Sequence, residues 1–483
     1  MTNLLNINYY AVAPELVLIG FAFLVLILDL LLKGRDKAVL GYVTAFGLLV
    51  SIPVSYFTNE PVSFSGMVAA DSFSAFFNIV FCVAAFLTTL ISMDYMKKAK
   101  ADRGEYYYIT LFAVIGMMLM ASANDFVNLY AGLELMALSF YVLVAFKIND
   151  NKSVEGALKY FVLGALSSGI LLYGISFLYG YAGSTNFAEI ARAASAGSSQ
   201  NMFLILGVCL TVAGFAFKVA LFPFHLWSPD AYEGAPTPVT ALLSVGSKAA
   251  AFAVFLRFFA GSLAVLQPHW AMLIWVFSAA TMLYGSVVGV SQKNIVRMLA
   301  YSSIAHAGII LIGLLVTNDK GSSGVLYYLL VYAFMNIGAF SVITLFVRNN
   351  GKGANICDYK GLASKRPWLA FFMALFMVSL AGIPPTGGFT AKFFILASAV
   401  NSRYYLLAGI AVVSTVISLF FYAKVIFYMY MKEADDASVF TASPGAALYN
   451  VVIVISAVAT VLIGIFPSVF MDMAVQAVKP LLM

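Results

Sequence analysis

The sequence predicts an all-α polytopic membrane protein of about 14 transmembrane helices, built on two inverted five-helix repeats (helices 4–8 and 9–13) with broken helices 7 and 12. Three observations lead there. Of the 483 residues, 63% are hydrophobic and only 10% are charged. A soluble globule of that size cannot hide so much apolar surface. Apolar runs of about twenty residues recur along the chain, the length a helix needs to cross a hydrocarbon core of about 30 Å. Two of these runs are too long for one crossing and are interrupted by proline and glycine.

Divided at charged residues and at Pro/Gly breaks, the runs are 11–32, 38–57, 73–93, 107–122, 126–146, 157–182, 202–234, 236–260, 270–290, 297–317, 324–348, 367–400, 404–430 and 446–471. The first is too long for a cleavable leader, has no basic residue before it and runs straight into Lys33-Gly34-Arg35-Asp36-Lys37. An even number of spans places both termini on one side. With residues at the span ends (Lys159, Arg257, Arg297 and Arg348) assigned to the adjoining connections, eighteen of the 27 basic residues go with connections that follow odd-numbered spans, and five with the other connections and the tails. Positive charge gathers on the cytoplasmic side, so a bacterial cell membrane with both termini periplasmic is expected.

As straight helices, residues 202–234 and 367–400 would each measure about 50 Å. The first holds Pro223 within Lys218-Val-Ala-Leu-Phe-Pro223-Phe-His225, and the second holds Gly382-Ile-Pro384-Pro385-Thr-Gly387-Gly388 before Lys392. These are spans seven and twelve, five apart. Five is odd, so a five-helix unit repeated in sequence is inverted in the membrane. Broken helices at matching places of such repeats point to an ion or substrate site. The expected division is 1–106 for helices 1–3, 107–260 and 261–430 for the two repeats, and 431–483 for the last helix. The lysine precedes its proline in one break and follows it in the other.

Cys82, Cys209 and Cys357 lie far apart, as do His225, His269 and His306, so cysteine-ligated clusters and zinc sites are not expected. Neither a GxGxxG nor a GxxxxGK[ST] motif is present. No cofactor bound by this chain is expected, and its energy source lies outside it. The net charge of +6 resides mostly in loop lysines, so the expected surroundings are lipid rather than nucleic acid.

Four basic residues, Lys218, Lys248, Lys392 and Lys424, sit inside apolar runs. A charge at mid-bilayer costs about 2.5–3.5 kcal/mol on insertion scales, so such residues face protein or water and do work, or snorkel near an end. Glu134 lies about 12 Å along its helix, too deep to snorkel. It reads either as a neutral packing acid or as a proton-loadable carboxylate. Lys218 is its natural partner, in a static salt bridge or in a pair whose separation lets the amine release a proton. Lys248 and Lys392 have no acidic neighbour in their own helices. Lys424 lies nearer the cytoplasmic end, where snorkelling competes. His306 can pass a proton between two lysines or be a satisfied polar group. His225, at the break, serves a relay or bonds a helix end.

Glu155 and Lys159 form an i,i+4 pair at the cytoplasmic surface. Asp230 and Glu233 are candidates for lining a proton entry, and Asp29, Asp71 and Asp125 read as interfacial. One carboxylate and several lysines strung through broken helices are the material of a proton relay. Sodium would call for clustered oxygens, and lysines repel it.

The stretch Gly214-Phe-Ala-Phe-Lys218-Val-Ala-Leu-Phe-Pro223-Phe-His225-Leu-Trp227-Ser-Pro229-Asp230-Ala-Tyr232-Glu-Gly234-Ala-Pro236-Thr-Pro238-Val resembles the antiporter-like subunits of respiratory complex I. Its tail is similar to the subunit N family of NADH-quinone oxidoreductase rather than to the paralogues L and M. Leu380-Ala-Gly-Ile-Pro384-Pro-Thr-Gly-Gly-Phe-Thr-Ala-Lys392-Phe resembles the twelfth helix of the same family, where M carries a glutamate. The resemblance implies a non-redox subunit of a proton-translocating NADH:quinone oxidoreductase, a translocase. NADH, FMN, Fe–S clusters and quinone are then expected in partner subunits, among which are the antiporter-like M and small membrane subunits. The family's glutamate of helix 5 matches Glu134, and its lysines of helices 7, 8 and 12 match Lys218, Lys248 and Lys392. It further implies that Glu134 and Lys218 couple, and that Lys392 exchanges with the periplasmic side. The competing readings are an Mrp-type cation/proton antiporter, the homologous subunit of a complex driven by another electron donor, and a structural scaffold.

Overall fold

The computed structural model describes residues 8–32, 37–58, 60–197, 201–346, 353–433 and 446–482. Among them, eleven helices are long and apolar enough to cross a membrane. Three shorter apolar helices, Glu105–Ala121, Met202–Lys218 and Pro367–Ala381, complete the fourteen spans that the sequence predicts. Lys33, Arg35, Arg348 and Lys352, which enter the charge count, lie outside the described residues, as does the expected end of span eleven at 348.

Several spans begin where a side chain satisfies the first free N–H groups, which lipid cannot do. Asp125 accepts from the Val127 N–H at 2.7 Å, Asn201 from Phe203 at 2.9 Å and Asn294 from Val296 at 2.8 Å. Two of the helices are buried along their whole apolar length: Thr237–Ser262 (span eight) and Ile295–Val316 (span ten). Polar residues within them such as Ser244, Lys248, Ser303 and His306, unlike Arg297 at the start of span ten, are therefore surrounded by other helices. Span one, Ala13–Leu31, turns Phe23, Ile27 and Leu30 outward. Span six, Asn151–Ala182, exposes Leu166 and Tyr173, and span thirteen, Tyr405–Met431, exposes Val412, Val416 and Phe420. These outward faces suit lipid or neighbouring membrane helices. Lys248 and His306, on spans eight and ten, are thereby placed at the centre of the bundle.

Both interrupted runs are pairs of half-helices. Span seven is Met202–Lys218 followed, after a non-helical stretch, by Trp227–Gly234. Span twelve is Pro367–Ala381 followed by Gly387–Asn401. The Phe222–Pro223 and Pro384–Pro385 peptides in the two breaks are cis. Span eight carries π-helical turns at Leu243–Ser247 and Phe255–Ser262, on either side of the stretch that begins with Lys248.

Several short elements escape sequence reading because they have no long apolar run. A hairpin pairs Glu60–Ser63 with Val68–Ala70, and helix Phe187–Ala196 links spans six and seven. The last span ends at Ile465 rather than 471, because Pro467 opens a new helix, Pro467–Leu482. That helix packs on spans three (Ser72–Lys98) and eleven (Asp319–Phe346).

Candidate functional site

Glu134 is carried by span five, Phe126–Val144, and is half-buried against span six. The expected Glu134–Lys218 ion pair is not a direct one. Ser168 of span six stands between them: its hydroxyl donates to Glu134 Oε1 at 2.5 Å and accepts from Lys218 Nζ at 3.4 Å. The arrangement runs ammonium to hydroxyl to carboxylate, so the two charges communicate through one rotatable O–H.

Lys218 is the last residue of its half-helix and is buried. The chain then leaves helical geometry, with Ala220 at φ 57°. The carbonyls this frees are partly claimed by tertiary neighbours. Trp227 Nε1 donates to the Phe217 carbonyl at 2.9 Å, and its ring stacks on Tyr160 at 4.2 Å. The Phe222 N–H is taken by Thr281 Oγ1 of span nine at 3.0 Å. These bonds hold the break open as a defined shape rather than a frayed end.

Lys248 points across to span ten, where its Nζ donates to the Ser303 carbonyl at 2.7 Å and also to the Ser303 hydroxyl. One turn on, His306 is held from both sides. Its Nδ1 meets Tyr328 Oη at 2.6 Å and its Nε2 meets Tyr422 Oη at 3.2 Å. Tyr422 in turn bonds Ser302 Oγ at 2.5 Å. Tyr232 and Tyr332 lie beside Ser303, and their buried hydroxyls have no hydrogen-bond partner of normal geometry. Buried hydroxyls in that state are the usual hosts of ordered water.

Lys392, in the second half of span twelve, reaches back across its break. Its Nζ donates to the carbonyls of Leu380 and Ala381 at 2.9 and 3.0 Å, the C-terminal end of the first half-helix. Gly382, at φ +82°, makes this possible, because a Cβ there would meet Lys392 Cδ at 2.8 Å. The two breaks, unlike in sequence order, thus each join a lysine to the C-terminal end of the first half-helix: Lys218 is its last residue, and Lys392 bonds its last carbonyls from across the gap.

Not every candidate joins this line. Lys424 donates to the Gln292 carbonyl at 3.2 Å, where span nine ends. Both ring nitrogens of the buried His225 lack a partner of normal geometry, and the ring lies tilted against Tyr284 with centroids 4.4 Å apart. Asp230 and Glu233 are bound into an ion network with residues of spans six and ten. Arg297 meets them at 2.6 and 3.0 Å, Lys159 meets Asp230 at 2.7 Å and Lys152 meets Glu233 at 2.8 Å. Glu155 and Lys159 pair at 2.7 Å as expected. The network borders a cavity of about 1100 Å³ that extends to Tyr232.

Asp71 is a correction. It caps the start of span three, but it is buried there and receives both terminal nitrogens of Arg257 at 2.9 Å. Arg257, counted in the sequence as a residue of an outer connection, is buried in span eight and also donates to the Ala121 carbonyl at 3.0 Å. Asp29 pairs with Lys37 at 2.5 Å, and Asp125 accepts from Thr185 Oγ1 at 2.7 Å while capping span five. Ser168, Ser303, Tyr328 and Tyr422 escape sequence reading because serine and tyrosine in an apolar run carry no charge penalty to single them out.

Known proteins resemble this chain in sequence and in fold. The family described as NADH:quinone oxidoreductase/Mrp antiporter, transmembrane, matches residues 123–418. NADH-quinone oxidoreductase subunit N of Trichlorobacter lovleyi is 42% identical, over 98% of this chain and 98% of its own. The subunit N of Rhodospirillum rubrum is 40% identical, over 97% and 96%. Respiratory complex I from Thermus thermophilus contains a chain that superposes with a TM-score of 0.80 at 28% identity, covering 95% of this chain and 98% of that one. An Mrp complex from Dietzia contains a chain with a TM-score of 0.83 at 22% identity, covering 98% and 97%, a likeness of fold. With 40–42% identity to such relatives over 97–98% of its length, the chain belongs to the subunit N family of NADH-quinone oxidoreductase, the antiporter-like membrane subunits of complex I.

Proposed function

We propose that this chain translocates protons for NADH-quinone oxidoreductase through a buried relay of Glu134, Ser168, Lys218, Lys248, His306 and Lys392, and that it carries no redox group itself. NADH, FMN, Fe–S clusters and quinone belong to partner subunits, whose electron transfer drives the relay. The observation that carries the reading is the setting of Lys218, Lys248 and Lys392. All three are buried, and among the described residues none has a carboxylate within ion-pair distance. Carbonyl and hydroxyl oxygens hold an ammonium but neutralise nothing, so each amine is poised to give up a proton when its surroundings change.

In the arrangement seen, Glu134 supports a charged Lys218 through the Ser168 hydroxyl. Withdrawing the carboxylate leaves that ammonium with a lone neutral acceptor in a medium that penalises charge. The proton then moves inward, past Tyr232 and Tyr332, to Lys248. His306, ligated by two tyrosine hydroxyls, can accept on one nitrogen and donate from the other. Lys392 receives the proton at a helix C-terminus, which favours a cation by about 0.3–1 kcal/mol. The cytoplasmic cavity that reaches Tyr232 supplies the entry. We place both termini on the periplasmic side, on the asymmetry of basic residues, and take 107–260 and 261–430 as the two repeats.

The test is Glu134→Ala, Lys218→Ala and Lys218→Arg in the intact complex, with assembly verified on native gels. Both alanine variants should lose most NADH–quinone activity and pumping. The arginine variant should fail too, because guanidinium does not yield its proton. Normal pumping by assembled Glu134→Ala and Lys218→Ala complexes would refute the relay.

A further inference from the structure

Away from the lysines, the outer ends of spans one to four enclose a second polar site. Glu15, in the first turn of span one, is buried, and its Oε2 has no hydrogen-bond partner. Asn78 of span three is equally buried, and its Oδ1 is likewise unpartnered. Both line one small void, together with Ser55, Thr58, Ser74 and Ser122.

The four hydroxyls do not relieve the two bare oxygens. Each has already spent its hydrogen on a backbone carbonyl: Ser55 on Ser51 at 2.8 Å, Thr58 on Val54 at 2.8 Å, Ser74 on Asp71 at 2.9 Å and Ser122 on Met118 at 3.1 Å. What they turn toward the void is lone pairs. Among the described residues, the lining thus turns mainly acceptor oxygens toward the carboxyl group and holds no basic side chain.

The charged and titratable groups on the neighbouring elements do not help. Asp71, one turn before Ser74, is fully engaged by Arg257, and Cys82 of span three is within electrostatic reach but carries no positive charge. Span two contributes Ser55 and its C-cap Thr58, and span four its C-cap Ser122, none of them charged. An ionised Glu15 would stand among like-signed lone pairs with no counter-charge from the described residues, which is the costly arrangement in a water-poor interior.

We propose that this pocket is a proton-binding site separate from the lysine relay, in which Glu15 is a carboxylic acid at neutral pH and its O–H donates to Asn78 Oδ1. One proton satisfies both bare oxygens at once. The void, about 10 Å³, is at the lower limit of the roughly 10–15 Å³ that admits a single water, so at most one water accompanies it. A monovalent metal ion such as sodium is the competing occupant, and the test separates the two.

The experiment is infrared spectroscopy of the whole complex in membranes, comparing the unmodified protein with Glu15→Gln and Asn78→Ala. Glutamine is neutral and supplies an N–H donor of the same reach, so Glu15→Gln should assemble at the unmodified level. The difference spectrum should then show loss of one protonated-carboxyl C=O band that shifts in D2O. Asn78→Ala should leave that band in place but move it to higher frequency, because the hydrogen bond to the amide oxygen is gone. Loss of an ionised-carboxylate band instead would overturn the proposal, as would a protonated band seen only after sodium is withdrawn. If Glu15→Gln does not assemble, the absence of any carboxyl shift in Asn78→Ala overturns it equally.

Discussion

The bridging hydroxyl of Ser168 is the point at which the relay can be cut with the least collateral damage. Ser168→Ala removes one oxygen from a buried position on span six and leaves both charged partners in place. It deletes the 2.5 Å donation to Glu134 Oε1 and the 3.4 Å acceptance from Lys218 Nζ. A hydrogen bond to a charged group contributes about 1.5–3 kcal/mol, and about 1.4 kcal/mol is a factor of ten in rate or equilibrium. Transfer between Glu134 and Lys218 should therefore slow by about tenfold to a hundredfold. Ser168→Thr keeps the hydroxyl and should retain most function. The assay is NADH-driven acidification of inverted membrane vesicles, read beside NADH–quinone turnover and with the amount of assembled complex held equal. A solvent isotope effect on pumping that rises in Ser168→Ala would place the slowed step at proton transfer. The reasoning is refuted if assembled Ser168→Ala pumps like the unmodified complex, or if Ser168→Thr is as impaired as Ser168→Ala.

Gly382→Ala should disable Lys392 without touching its charge. An L-residue at φ +82° costs about 1–2 kcal/mol, and the new Cβ displaces the lysine chain from the Leu380 and Ala381 carbonyls, so vesicle acidification should fall in an assembled complex; unchanged acidification would show that the amine need not rest there. Asp71→Asn keeps the cap on span three but strands the Arg257 guanidinium, at a cost of about 3–5 kcal/mol for a broken buried pair. Thermal inactivation of the complex should come several degrees earlier, and adding Arg257→Met should recover part of the loss. No recovery in the double variant would mean that Arg257 matters through its bond to the Ala121 carbonyl rather than through Asp71.

The spans were legible because the bilayer imposes one length and one composition on every crossing, and Glu134, Lys218, Lys248 and Lys392 were legible because charge in an apolar run is costly enough to be noticed. Arg257 does not stand out in this way: it lies near a span end and reads as a loop residue until Asp71, 186 positions away, is brought beside it. Nor does Glu15, whose place in the first turn of a helix resembles an ordinary interfacial acid. The direct Glu134–Lys218 pair was expected because carboxylate and amine are the strongest partners available. Which third group lies between two helices is a matter of their rotation and depth, and that placed Ser168 there.

By itself, the sequence determined that the chain crosses a membrane many times, where spans seven and twelve break, and which few ionisable side chains are trapped inside. Each of those follows from local composition, since hydrocarbon tolerates neither charge nor unpaired backbone. Only the tertiary structure decided what each trapped group touches. Lys392 follows its prolines in the chain, yet it caps the half-helix before them, so the two breaks present their amines alike although their sequence orders differ. The physical reason is that hydrogen-bond partners in a bundle come from neighbouring helices, and neighbours are set by packing rather than by distance along the chain.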